Sequence, residues 1–348
     1  MAAPTFTNIE KRAGFLAFIN RQLCEEPTLP QDVDLKGKTV VVTGSNTGIG
    51  LECARQLLDL GPTKLIVAVR NESKGQAAKV KLLSGRPPLA DDTIEVWKLD
   101  LQSYDSIIAF VERAKELERL DIVVLNAGIS KQTFDITPST GHEESIQVNV
   151  LSTALLTILL LPLFKAKGSP GQPGRLAVVS SDVASWAQFK ERSSTPLLPI
   201  LDKQESFTVV DRYPTSKLLG QLFITELTKR VPASVAIITL PNPGWCRDTG
   251  LGELPGGGRT MGDKIVSIPR RLLGRTPKIG ARAITDGAVH YGVEAHGQYV
   301  EDCKLQPKAP FVYTPEGDRI SKVLWAEIMA ELAFAKAEEI IQELEQGI

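Results

Sequence analysis

Apolar and polar positions along this chain follow two rhythms in turn. Continuous apolar runs, as a strand buried on both faces requires, occur at 38–43, 64–69, 93–99, 121–125, 174–180 and 234–240, with a shorter one at 297–300. Between them lie stretches with apolar residues at helical spacing: 48–60, 72–84, 103–118, 142–165, 213–230, 277–292 and 316–346. Such alternation demands an α/β domain, a parallel sheet flanked by helices. Residues 1–36 stand outside the pattern as an N-terminal arm, with one amphipathic helix over 8–23 followed by Pro27 and Pro30. The arm is expected to pack on the body; a partner or a membrane surface are the alternatives. Residues 37–348 then form one domain ending in a long helix. Trp325, Ile328, Met329 and Leu332 of that helix should be core, and Glu338, Glu339, Glu343 and Glu345 a solvated face.

Composition narrows the class. A net charge of −1 provides no electrostatic argument for nucleic acid or an anionic membrane. Cys24, Cys53, Cys246 and Cys303 lie far apart, with no Cys-x-x-Cys and no ligand-spaced histidines. That suits reduced thiols in the cytoplasm and argues against a disulfide framework or a metal site. The longest apolar stretch, Ala154 to Phe164, contains Pro162 and is too short to span a membrane. It reads as a buried or subunit-interface helix.

Two local motifs carry chemistry. After the first strand come Thr43-Gly44-Ser45-Asn46-Thr47-Gly48-Ile49-Gly50, and Leu51 opens a helical pattern. A strand, a glycine turn and a helix N-terminus make a pyrophosphate site from backbone N–H groups and the helix dipole, the Rossmann-like arrangement. Further along, Tyr213 and Lys217 stand four residues apart, one helical turn. A fixed ammonium beside a phenol favours the phenolate, so the Tyr213 pKa is expected to fall toward neutrality. The second strand ends at Arg70, where an arginine accommodates a 2′-phosphate and an acid would bind a free ribose. NADP(H) is therefore expected over NAD(H).

The spacing Thr-Gly-x-x-x-Gly-x-Gly, with Asn126-Ala127-Gly128 and Tyr213-x-x-x-Lys217, resembles the short-chain dehydrogenase/reductase family over most of the chain. Its long form looks most like the retinol-dehydrogenase-like branch and its fungal relatives, which allows a place in secondary metabolism. The resemblance implies a catalytic set of Asn149, Ser181, Tyr213 and Lys217. Ser181 hydrogen-bonds the reacting oxygen, Tyr213 exchanges the proton, Lys217 binds the nicotinamide ribose and tunes Tyr213, and Asn149 holds a proton-relay water. It also implies that Gly44, Ser45, Asn46, Thr47, Gly48, Ile49 and Gly50 hold the cofactor. Arg70, Asp100, Leu101, Asn126, Ala127, Gly128, Tyr213, Lys217, Pro243 and Gly244 join them. Members are commonly dimers or tetramers, so a homodimer is allowed.

This chain departs from the family pattern in two places. The segment 182–212, between Ser181 and Tyr213, is long and mixes Trp186, Phe189, Leu197, Leu198 and Phe207 with charged residues. It is expected to wall the substrate pocket, a surface flap being the alternative. After Pro243-Gly244 the family's threonine position holds Asp248, with Thr249 one place later, so the contact has shifted or is lost. The glycine-laden stretch within 245–278 is expected to form a lid. The reaction expected is interconversion of a carbonyl and an alcohol on a small, hydrophobic molecule. The alternatives are an idle NADP(H)-binding sensor or scaffold, and a double-bond reductase on the same fold.

Overall fold

A computed structural model describes residues 6–168, 171–251 and 273–346. Eight strands among them form one sheet in the order β3-β2-β1-β4-β5-β6-β7-β8. They are β1 Thr39–Thr43, β2 Lys64–Val69, β3 Ile94–Lys98, β4 Ile122–Leu125, β5 Gly174–Val178, β6 Ala236–Asn242, β7 Gln298–Glu301 and β8 Lys304–Gln306. All neighbours run parallel except β7 and β8.

The continuous apolar runs are explained by burial on both faces. Val40 and Val42 of β1 join Cys53, Leu57, Ala78, Leu82 and Ile284 of the helices Gly48–Asp59, Glu72–Leu83 and Pro277–Val289. Val41 faces the opposite layer, with Ile107, Leu155 and Leu222 of the helices Tyr104–Lys115, Thr153–Lys167 and Val209–Arg230. Side chains alternate across a strand, so one valine run serves two cores. The fold is thus a doubly wound, mostly parallel α/β sheet. Its order reverses between β1 and β4, the crevice where such sheets bind ligands.

Four boundaries differ from the sequence pattern. The last helix is two, Pro315–Glu331 and Ala337–Gln346, parted by a tight turn over Ala333–Ala335 that ends at Lys336 in a left-handed backbone (φ 56°). The arm helix is also two, Ile9–Ala13 and Phe15–Cys24, parted at Gly14. The Tyr213 helix starts earlier, at Val209, and accommodates Pro214 within it. Strand β8 was not legible; it pairs with β7 through a turn at Asp302 and Cys303, both at positive φ and neither the usual glycine.

The helical run Glu144–Lys167 is long and apolar enough to cross a membrane, longer than its apolar stretch implied. Its most apolar window is 83% buried within the protein, so it is a core helix. The C-terminal pair covers the same layer: Trp325 stacks on Phe223 at 5.7 Å, and the Arg230 guanidinium lies over Trp325.

The arm packs on the body. Phe18 meets Trp186 edge-on at 5.0 Å, and the Trp186 indole donates to the Ala13 carbonyl. The stretch 252–272, most of the expected lid, lies outside the described residues.

Candidate active site

The glycine turn sits at the reversal point between β1 and β4. Gly44 and Gly48 have φ of +64° and +58°, a region that glycine enters without strain. A Cβ at Gly50 would fall 2.5 Å from the Gly44 carbonyl oxygen, so only glycine lets the helix start there. Thr47 caps the Gly48–Asp59 helix without a side-chain hydrogen bond, leaving that end's N–H groups to an outside acceptor. Ser45 is fully buried and its hydroxyl donates to the Val42 carbonyl, so its side chain belongs to the turn. Asn46 and Ile49 are half-buried and Thr47 is exposed.

Asn126 braces the turn from β4. Its amide donates to the Thr43 carbonyl at 3.0 Å, while the Thr43 hydroxyl accepts from the Asn126 and Ala127 N–H groups. Across the turn stands Thr249, whose Cα and Cβ lie 3.8 Å from where a Gly48 Cβ would be. Asp248 is exposed at φ 54°. The shift by one residue therefore brings Thr249, and not Asp248, against the glycine turn. Pro243 and Gly244 open this loop at the end of β6.

Arg70 and Asp100 lie at the ends of β2 and β3. Exposed Arg70 donates to the Gln102 side chain, and Gln102 N–H donates to the Asp100 carboxylate. Leu101 is buried, and its carbonyl accepts from Ser152. A glycine cradle that a Cβ would fill, an uncapped helix end and an exposed guanidinium beyond it fit a dinucleotide.

The four expected catalytic residues converge. Asn149 lies in a π-helical turn, Gln147–Ser152, which bulges the long helix toward the crevice. Its Oδ1 accepts from Ile129 N–H at 2.9 Å, and its Nδ2 donates to the Ile129 carbonyl and to Ser216 Oγ at 2.8 and 2.9 Å. Ser216 in turn donates to the Tyr213 carbonyl at 2.8 Å. Gly128 permits the approach: a Cβ there would stand 3.1 Å from Asn149 Oδ1 and 3.7 Å from Lys217 Nζ. Ser181 stands near enough to the Tyr213 phenol to favour its ionised form, and its Oγ accepts from Val183 N–H at 3.4 Å. Ser180 is buried and accepts from Gln221, a structural part that distinguishes it from Ser181.

The electrostatics differ from expectation. Burial pushes the Tyr213 phenol up to about 12; the neighbouring Ser181 hydroxyl opposes this and Cys246 adds to it. Burial also pushes Lys217 down to about 8, and its ammonium donates to the Val179 carbonyl at 3.0 Å. Helical spacing brings the two side chains to one face, yet the lysine reaches for β5 and the phenol is not depressed.

Several residues escaped the sequence reading. Ser216 joins Asn149 to Tyr213, and its only signal is a small hydroxyl residue next to Lys217. Asp211 accepts from the N–H groups of Gln188 and Phe189, pinning the insert to the Tyr213 helix. Buried Arg212 faces Glu143 and Glu191. Phe134, which the sequence did not single out, meets Phe207 of the expected wall edge-on at 5.8 Å.

A model of the short chain dehydrogenase family matches residues 38–192. The short-chain dehydrogenase fogG of Aspergillus ruber is 48% identical over 341 residues, covering 96% of this chain and 97% of that protein. The short chain dehydrogenase/reductase mfmJ of Annulohypoxylon moriforme is 42% identical over 329 residues, 94% of each. Among solved structures, an uncharacterized protein from Mycobacterium paratuberculosis aligns at TM-score 0.62 and 24% identity, covering 88% of this chain and 98% of that one. A 3-oxoacyl (acyl-carrier-protein) reductase from Agrobacterium tumefaciens, with NADP bound, aligns at 0.54 and 20%, covering 77% and 93%. The structural likenesses speak for the fold alone. The full-length identity to the fungal proteins goes further, and with it the chain belongs to the short-chain dehydrogenase family of oxidoreductases.

Proposed function

We propose that this chain is an NADP(H)-dependent oxidoreductase that interconverts a carbonyl and a secondary or primary alcohol on a small, hydrophobic molecule. One observation carries the reading: Asn149 Oδ1 and Lys217 Nζ converge at Gly128, within 3.1 and 3.7 Å of where its Cβ would be, and Asn149 is tied through Ser216 to the Tyr213 carbonyl, with Ser181 beside the phenol. When bound, the dinucleotide supplies or accepts the hydride. The protein's residues do the rest. The glycine turn and the first-turn N–H groups of the Gly48–Asp59 helix hold the pyrophosphate. Arg70 takes the 2′-phosphate by charge-assisted hydrogen bonds, Asp100 the adenine, and Lys217 the nicotinamide ribose. Ser181 donates to the substrate oxygen, and Tyr213 gives that oxygen a proton or withdraws one. With its pKa near 12, Tyr213 is protonated at neutral pH, the form that carbonyl reduction needs. Asn149, anchored by Ile129 and Ser216, holds the relay water.

An apolar substrate is supported by the Phe134–Phe207 pair and by exposed Val209 and Val210, within the turn before Tyr213. The insert 182–212 is then a wall of the pocket. A dinucleotide in the Agrobacterium tumefaciens fold neighbour supports the cofactor class. The wide separation of Cys24, Cys53, Cys246 and Cys303 along the chain accords with reduced thiols in a compartment such as the cytoplasm.

The test is loss of NADPH absorbance with a panel of aromatic and aliphatic carbonyl compounds, alongside direct titration with NADPH and NADH. Turnover that Tyr213→Phe abolishes, and an NADPH preference that Arg70→Ala removes, are expected. Tight NADPH binding without turnover of any carbonyl would favour a sensor. Consumption of NADPH only with conjugated enones, leaving the carbonyl intact, would favour double-bond reduction.

A further inference from the structure

The N-terminal arm lies outside the matched segment 38–192 and carries no motif, yet two adjacent arm residues reach both loops beside Tyr213. The first loop follows β5 and holds Ser181 and Asp182. Asp182 receives the Tyr299 hydroxyl at 3.1 Å, and its negative charge adds to burial in pushing the Glu301 carboxyl up. The Asp182 and Glu301 side chains are only 11% and 4% exposed, and two acids buried together require cations or a shared proton. Both partners among the described ion pairs come from the arm. Arg21 Nε lies 3.1 Å from Glu301 Oε2, its Nη2 lies 3.8 Å from Asp182, and Arg12 also pairs with Glu301.

The second loop follows β6 and runs from Pro243 to Thr249, passing buried Cys246, which lies near enough to Tyr213 to act on its titration. Gln22, buried beside Arg21, grips it as a neighbouring strand would. Its Oε1 accepts from Trp245 N–H at 3.1 Å, and its Nε2 donates to the Trp245 and Leu273 carbonyls at 2.8 and 3.0 Å. Gly244 makes room: a Cβ there would meet Gln22 Oε1 at 3.0 Å and Arg275 Nη1 at 2.8 Å. Arg275 ties the same stem to the arm by donating to the Arg21 and Glu25 carbonyls.

We propose that Arg21 and Gln22 are positioning residues for the reaction. Arg21 sets the loop carrying Ser181, and Gln22 sets the loop carrying Thr249. Neither touches the reacting atoms. The consequence for catalysis rests on the function proposed above; the positioning itself does not.

The test uses the full chain and the variants Arg21→Met, Arg21→Lys and Gln22→Leu, with two readouts. In the cofactor-free protein, amide hydrogen exchange is followed in peptides spanning 178–186 and 243–249. Arg21→Met should speed the first and Gln22→Leu the second by about tenfold, with 122–131 unchanged and Arg21→Lys close to wild type. With NADPH and the best carbonyl of the panel, Arg21→Met should lower kcat about tenfold at unchanged KM for NADPH. Gln22→Leu should raise that KM by a similar factor, and Arg21→Lys should rescue kcat. Wild-type exchange in 178–186 of folded Arg21→Met and in 243–249 of folded Gln22→Leu would overturn the proposal, whether or not NADPH is consumed. A wild-type protein that consumes no NADPH would instead count against the proposed function. Should either apolar variant fail to fold, Arg21→Gln, which removes the charge and should speed 178–186, and Gln22→Glu carry the same exchange readout. Gln22→Glu keeps the acceptor and loses both donors, so exchange in 243–249 should rise, and an unchanged rate would again overturn the proposal.

Discussion

The Lys217 ammonium donates to the Val179 carbonyl at 3.0 Å, and its Nζ stands 5.7 Å from the centre of the Tyr213 ring. The two side chains share a helix face without sharing a hydrogen bond. Burial therefore dominates the phenol, whose pKa rises to about 12. Below about pH 10, the ultraviolet difference between wild type and Tyr213→Phe should show no phenolate. A titration in the cofactor-free protein centred between pH 7 and 8 would contradict this.

Lys217 contributes a second pH effect. Its folded pKa, about 8, lies below the ordinary value of 10.5. Between those values the unfolded chain binds more protons, so this group adds stability as pH rises from about 8 to 10.5. Its buried charge is unfavourable below that window. Lys217→Met should remove the rise and leave the melting temperature at pH 7 no lower than wild type. Activity should fall at least ~100-fold, the usual scale of acid–base assistance. Thermal unfolding across pH 7–10.5 and NADPH kinetics check the two halves.

Ser216 is fully buried, accepting from Asn149 Nδ2 and donating to the Tyr213 carbonyl. Ser216→Ala leaves both partners short of a hydrogen bond, at a cost of roughly 1–3 kcal/mol. Denaturant unfolding should show that loss. The kcat should drop about tenfold with little change in NADPH affinity, because Asn149 loses an anchor while the glycine turn is untouched.

Gly48 and Gly50 should respond differently to alanine. At Gly50 the new Cβ meets the Gly44 carbonyl at 2.5 Å and the Asn126 amide at 2.4 Å, both part of the cofactor turn. Gly50→Ala should abolish NADPH binding in titration calorimetry. Gly48→Ala meets nothing nearer than 3.8 Å and bears chiefly the cost of positive φ, about 1 kcal/mol, so it should keep measurable binding.

His142 ties the body to the insert and the C-terminal helix. Its Nδ1 meets Asp202 at 2.7 Å and its Nε2 meets Glu331 at 3.3 Å. Burial disfavours the imidazolium, but these carboxylates outweigh it and raise the pKa above 6.5. The folded state thus binds the proton more tightly than the unfolded chain. The stabilisation is complete below about pH 6.5 and is lost as pH rises through the raised value. Melting temperatures from pH 5.5 to 8.5 should fall for wild type by more than for His142→Gln.

Much of the fold and half of the site could be read from short stretches of chain. Val40 to Val42 announce a strand buried on both faces because three consecutive apolar residues leave no polar side. Gly44, Gly48 and Gly50 announce the turn because each answers a constraint from residues close in sequence or from a single neighbouring strand. Ser181 and Thr249 were distinguishable from Ser180 and Asp248 only by placement, the first by resemblance and the second not until the loop was seen against Gly48. The break at Lys336 left no mark, since a left-handed lysine costs little enough for packing to impose it. Strand β8 left none because three residues carry too little pattern.

Periodicity and backbone sterics act within a few residues, and so the amino-acid order alone dictates the doubly wound sheet, the cofactor turn and the Tyr213–Lys217 spacing. Where Lys217 points, how far burial lifts the phenol, and that Arg21 and Gln22 hold the loops of Ser181 and Trp245 are matters of folding. Lys217 meets Val179 across 38 positions, and the arm contacts join residues more than 150 apart. Their energies depend on desolvation, which no residue has until the rest of the chain has closed around it.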